Sequence, residues 1–158
     1  MNNVVQLNGG KNVIKLSYKT INSEGFNQAL ASLANQNEYA SAEAAHNVAR
    51  LTRQFAAELK RARELYAEWT KPFLVVDETG RYKLAEKKHP LCPWEIQAGK
   101  EDEFNHGMDK FLNTEIALIA KPLTLQDLGN IKLTPVQMLN LEPIFDPSVF
   151  SQQEVSEH

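Results

Sequence analysis

Cysteine is nearly absent. Cys92 is the single one in 158 residues, so no disulfide can form within the chain, and a reducing, cytoplasmic setting is expected. Long apolar runs are missing as well. Nothing approaches the ~18 residues of a membrane span, and the opening Met-Asn-Asn-Val-Val-Gln-Leu holds no apolar signal core. The expectation is a protein that is neither secreted nor membrane-spanning. Nor is there a surplus of one charge: 17 Lys/Arg against 20 Asp/Glu give a net charge of -3, which by itself predicts no polyanionic or polycationic partner. Internal repeats and low-complexity tracts are not found.

Signatures of chemistry are also scarce. Asn8-Gly9-Gly10-Lys11-Asn12 lacks the Gly-Lys-Ser/Thr ending and the following helix of a phosphate loop, and reads as a turn. His89-Pro90-Leu91-Cys92 offers two zinc ligands with no second pair nearby. Two Glu-x-x-His pairs, Glu43/His46 and Glu103/His106, fall on predicted helices, and such i, i+3 pairs build di-iron sites in bundles. In an antiparallel hairpin, however, both pairs sit at helix starts and so at opposite ends. Two further bundle glutamates have no candidate positions. We therefore expect no metal, no cofactor and no enzyme.

What the sequence does contain is one long helical period. Val48, Thr52, Phe55, Leu59, Ala62, Tyr66, Trp69 and Phe73 recur at alternating gaps of four and three. At about 100° per residue they share one helix face. Ser41 is a candidate cap and Pro72 should stop the helix near Lys71. The predicted helix is roughly 45 Å long at ~1.5 Å per residue. Its other side carries Arg50, Arg53, Lys60, Arg61, Glu64, Glu68 and Lys71. Arg50, Arg53, Lys60 and Arg61 form a basic stripe suited to phosphate contacts. The stripe is interrupted by Glu64 and Glu68, so a solvated face is preferred and nucleic acid is not the favoured partner.

Shorter elements follow from local signals. Val4–Leu7 and Val13–Lys19 read as strands that Asn8–Lys11 could join as a hairpin. Ser23 caps a helix to about Ala34. Phe73–Val76 and Arg81–Leu84 suggest a second hairpin around Asp77-Glu78-Thr79-Gly80. Glu86–Gly99, with Pro90 and Pro93, reads as an extended loop that Leu91, Trp94 and Ile96 anchor. A helix from Lys100 to Asn113 should pack antiparallel on the long one. Glu115–Ala120 reads as a strand pairing near residues 13–19, and Leu123–Gly129 as one helical turn. Thr134-Pro135 is the clearest helix start in the chain. The fold class is a helix-dominated α+β domain over residues 1–145, with 146–158 a flexible polar tail.

The long helix has more apolar face than a partner of about 14 residues can cover. The Ser23–Ala34 helix is one candidate to cover the rest; a second copy or another protein is the other. Tyr66, Trp69, Phe73 and Trp94 are thus the candidate interface residues.

Several blocks carry a resemblance. They are IKLSYKTINSEGFNQALASLANQ, HNVARLTRQFAAELKRARELYAEW, VVDETGRYKL and FLNTEIALIAKPLTLQDLGNIKLTPVQMLNLEPIF, within residues 13–145. This layout, a helical hairpin with an acidic turn and a terminal LTP…LEP segment, resembles a loose group of small bacteriophage and prophage proteins. The segment EKKHPLCPWEIQAGK departs from it. The resemblance implies a non-enzymatic phage protein working by protein–protein contact, as a minor virion component or assembly factor, in the virion or host cytoplasm. Two alternatives remain open: a phage inhibitor of a host defence protein, and a nucleic-acid-binding accessory protein.

Overall fold

The computed structural model describes residues 12–89 and 92–150, so Val4–Leu7 and Asn8–Lys11 lie outside the described residues. The chain order is β1 (Ile14–Ser17), α1 (Tyr18–Ile21), α2 (Glu24–Ala34), α3 (Ala42–Thr70), β2 (Leu84–His89), β3 (Cys92–Trp94), α4 (Glu101–Leu112), β4 (Glu115–Leu118), α5 (Leu125–Leu128) and α6 (Pro135–Asn140). The fold is a helix-dominated α+β domain with two small antiparallel sheets, β1–β4 and β2–β3.

Helix starts lie where side-chain oxygens meet orphan N–H groups. Ser23 Oγ accepts from Phe26 N at 3.3 Å and Ser41 Oγ from Ala44 N at 3.1 Å. Thr134 and Gln137 exchange bonds as a capping box, with Pro135 behind the cap. The strand expected at Val13–Lys19 is shorter than its pattern. It ends at Ser17, whose hydroxyl accepts from Thr20 N at 3.2 Å and starts α1 instead.

The 29 residues of α3 run through two cores. Up to Ala62 the helix contributes Val48, Leu51, Phe55 and Ala62 to a main core shared with β1, α1, α2, β4 and the chain beyond Leu123. Leu51, outside the expected face, is fully buried, while Thr52 is only half-buried. Leu51 is three residues after Val48 and four before Phe55, so it shares their side of the helix, and the buried side is centred there and not toward Thr52. The other end of α3 enters a second core around Leu74, Cys92, Phe104 and Met108. Along this end Tyr66 meets Phe111 at 5.9 Å between ring centroids, Trp69 meets Phe104 at 5.4 Å, and Phe73 meets Phe104 at 5.9 Å. Rising numbers on α3 against falling numbers on α4 make the pair antiparallel. Gly107 of α4 gives Trp69 room: a Cβ there would lie 3.0 Å from the indole.

The remaining flank of α3 is tied by amides. Asn47 Nδ2 donates to Lys121 O at 2.7 Å, and Lys121 N donates back to Oδ1 at 3.1 Å. Two helical turns on, Gln54 Nε2 donates to Ile119 O at 2.6 Å and Ile119 N returns to Oε1 at 2.7 Å. Four backbone groups of the segment after β4 are satisfied this way.

Two expectations change. Of the loop expected at 86–99, residues 86–89 and 92–94 are strand, and residues 90 and 91 lie outside the described residues: β2 and β3 pair antiparallel with Leu84 opposite Trp94 and His89 opposite Cys92. Pro93 is tolerated because it sits exposed in a short strand at a sheet edge. The segment from residue 146 is not all tail either. Val149 is buried in the main core and Phe150 stacks edge-on against Phe145 at 6.4 Å.

Candidate functional site

Three extended segments, 73–77, 81–84 and 94–97, meet at a three-way junction. Val75 N donates to Glu95 O at 2.9 Å, Lys83 N to Val75 O at 3.0 Å, and Glu95 N to Lys83 O at 2.7 Å. Around this ring the antiparallel partners are Leu74 with Ile96, Val76 with Tyr82, and Leu84 with Trp94. Directly opposed residues share a sheet face, and so do residues two apart in a strand. Leu74, Val76, Tyr82, Leu84, Trp94 and Ile96 therefore stand on one face, and all are apolar. Val75, Lys83 and Glu95 take the other, where Lys83 Nζ lies 3.5 Å from Glu95 Oε2.

The turn feeding the junction is locked by Asp77. Its Oδ1 accepts from Thr79 N at 2.8 Å and Arg81 N at 3.1 Å, and also from the Thr79 hydroxyl. The Thr79 hydroxyl first, then the Arg81 N–H, hold the Asp77 carboxyl below the ordinary carboxylate range.

The apolar face is only half covered. Leu74 is buried on α4 and Ile96 packs beside it. The other half extends past the helices: Val76 is 53% exposed, Tyr82 37% and Leu84 66%. Trp94 stands at the boundary, packed on the second core and 5.8 Å from the Tyr82 ring. A surface that buries one end and leaves three large apolar side chains outside has the form of a contact site.

Of the residues expected at an interface, Trp94 alone adjoins this exposed face. Tyr66, Trp69 and Phe73 are half-buried within the second core, so the chain itself covers the aromatic end of α3. Burial first, then a hydrogen bond with the Cys92 thiol, pushes the Tyr66 phenol well above its ordinary range. Val76, Tyr82 and Leu84 were not singled out from sequence. Their signal is the alternation 74/76, 82/84 and 94/96, three apolar pairs two residues apart.

Arg50, Arg53, Lys60 and Arg61 all lie on the exposed side of α3. Arg61 is 3.6 Å from Glu58, whereas Arg50, Arg53 and Lys60 have no ion pair among the described residues. Arg50 also lines a cleft of about 370 Å³ at the start of α3, with Glu43, His46, Lys121 and Asp127. Both signs of charge meet there. Glu103 and His106 are on α4, at the far end of α3, so the structure does not bring the two Glu/His pairs together. Among the described residues no group of three His, Cys, Asp or Glu is placed to hold a metal ion, and no helix is long and apolar enough to cross a membrane. Comparison with protein-family models, with curated proteins and with solved structures finds no match to this chain.

Proposed function

We propose that this chain is a non-enzymatic bacteriophage protein that acts through protein–protein contact, as a minor virion component or assembly factor. The observation that carries the contact reading is the uncovered half of the junction face: Val76, Tyr82 and Leu84 on paired extended segments, with Trp94 behind them. Strand pairing fixes these side chains before any partner arrives, which lowers the entropy cost of binding. The phage setting rests on the resemblance of the sequence blocks within residues 13–145. The partner surface is apolar, to match Val76, Tyr82 and Leu84.

The test is a double substitution, Val76→Glu with Leu84→Glu. Both side chains are mostly exposed, so the variant should melt within a few degrees of the parent. Gel filtration with light scattering, on the chain alone and co-expressed with neighbouring phage structural proteins, should show association by the parent and its loss in the variant. Association at parent strength by the variant would remove the junction face from the reading. Capture of a host enzyme in place of a phage protein would favour the inhibitor alternative.

A second reading is favoured by one observation, Arg50, Arg53 and Lys60 on the outer side of α3 with no ion pair among the described residues. Nucleic acid bound there would lose affinity steeply with salt. Arg50→Glu with Arg53→Glu should abolish a gel shift at low salt. A shift indifferent to the two changes eliminates this surface.

A further inference from the structure

The seam between the two cores contains a cavity of about 120 Å³, lined by Asn22, Arg63, Tyr66, Met108, Phe111 and Leu112. Each wall has a structural origin. Met108, Phe111 and Leu112 stand three and four residues apart and so share one side of α4. Tyr66 and Arg63 do the same on α3. Asn22 comes from the joint between α1 and α2, where its Nδ2 donates to Tyr18 O at 2.7 Å. The amide keeps a second N–H and its oxygen, so Asn22 is a polar group that can donate or accept. Phe111 is held from both cores, 4.9 Å from Tyr18 and 5.9 Å from Tyr66 between ring centroids.

Most of the lining is apolar and the volume is close to that of a ring. An engineered apolar cavity of ~150 Å³ stays dry and binds benzene. The cavity is partly open to solvent, and an apolar group that fits it gains dispersion contacts with its walls. Among the described residues the one charged group lining the cavity is Arg63. It is exposed, and it has no ion pair among the described residues. A guanidinium stays protonated and presents a planar fork that fits a carboxylate.

We propose that this cavity binds a ring-sized apolar group bearing a carboxylate. The ring enters between Tyr66, Met108 and Phe111, and the carboxylate pairs with Arg63. The same chemistry has two sources: a free arylalkanoic acid, or the last residue of a partner chain, whose side chain and α-carboxylate stand side by side. In the second case the backbone amide of that residue adds a polar partner for the Asn22 side chain. The site is separate from the junction face and does not rest on its role.

The structure supplies its own reporters. Trp69 lies 5.9 Å from Tyr66 and 6.0 Å from Phe111, two walls of the cavity. Met108 is one of three methionines, so its methyl signal is readily assigned. The full chain is titrated with 3-phenylpropionate, with N-acetyl-phenylalanine and with neutral toluene, reading tryptophan fluorescence and the Met108 methyl shift. Saturable shifts are expected with all three. Arg63→Gln, a change at an exposed position, should weaken both acids about tenfold and leave toluene unchanged. Tighter binding of N-acetyl-phenylalanine assigns the partner-chain source, and tighter binding of 3-phenylpropionate the free acid. No Met108 shift with any probe overturns the site. Acid binding unaffected by Arg63→Gln overturns the role of the charge.

Discussion

Gly129→Ala should destabilise the protein by about 3 kcal/mol or more, adding the strain of a forbidden backbone region to a backbone clash. Gly129 ends α5 at φ 57 and ψ -117, a conformation that residues with a Cβ avoid. A Cβ placed there would lie 2.7 Å from Ala40 N and 2.9 Å from Glu38 O. Both are backbone atoms and cannot rotate away. Relief requires the 38–40 segment to lift, which breaks Asn130 N to Glu38 O at 3.3 Å and Ala40 N to Asp127 O at 3.2 Å. For a domain of this size the loss corresponds to a fall in Tm of roughly 10 °C. Gly80→Ala is the control. Gly80 also has positive φ, 84°, but nothing lies within 4 Å of its added Cβ. Its loss should be about 1 kcal/mol, from backbone strain alone. Equal urea midpoints for the two variants would show that the close approach at Gly129 contributes nothing.

Phe104→Ala should cost about 3–5 kcal/mol and confine most of the damage to the second core. Phe104 is 1% exposed and is flanked by Trp69 at 5.4 Å and Phe73 at 5.9 Å. Its removal opens space in the smaller of the two clusters. The chain has two tryptophans, Trp69 and Trp94, and both belong to this cluster. Fluorescence therefore reports the second core, while far-UV circular dichroism reports mainly the helices of the whole chain. In the variant the fluorescence midpoint in urea should fall well ahead of the dichroism midpoint. Leu51→Ala, a change of similar size in the main core, should move the dichroism midpoint at least as far. Coincident midpoints in Phe104→Ala would mean that α3 and Phe111 weld the cores into one cooperative unit.

Local chemistry was legible. Ser23, Ser41 and Thr134-Pro135 mark helix starts because a cap needs only its own next three residues. Pro72 marks the end of α3 for the same reason, and the pairing of β1 with β4 follows from two alternating stretches. The junction was harder to read. Leu84–His89 contains a run of charge, and Cys92-Pro93-Trp94 contains a residue with no N–H. Neither segment alternates strongly enough to announce a strand. Their partners lie in residues 73–77 and in each other, and that information is non-local. The aromatic residues of α3 misled for a related reason. A heptad shows which face is buried but not whose surface buries it, and Phe104 and Phe111 of the same chain cover Tyr66, Trp69 and Phe73. The exposed half-face was visible only as three apolar pairs. That they converge depends on three backbone bonds among Val75, Lys83 and Glu95.

Asn47 and Gln54, unremarkable polar positions in a helical pattern, have a colloidal consequence. A free strand edge displays unpaired N–H and C=O groups that template further strands and lead to aggregation. At residues 119 and 121 that template is already occupied, by two side-chain amides that imitate a neighbouring strand. Ile119 can therefore stay 55% exposed without inviting edge-to-edge growth at its own backbone. The chain can be crowded among many copies and still be met at this edge through side chains, rather than through an added strand.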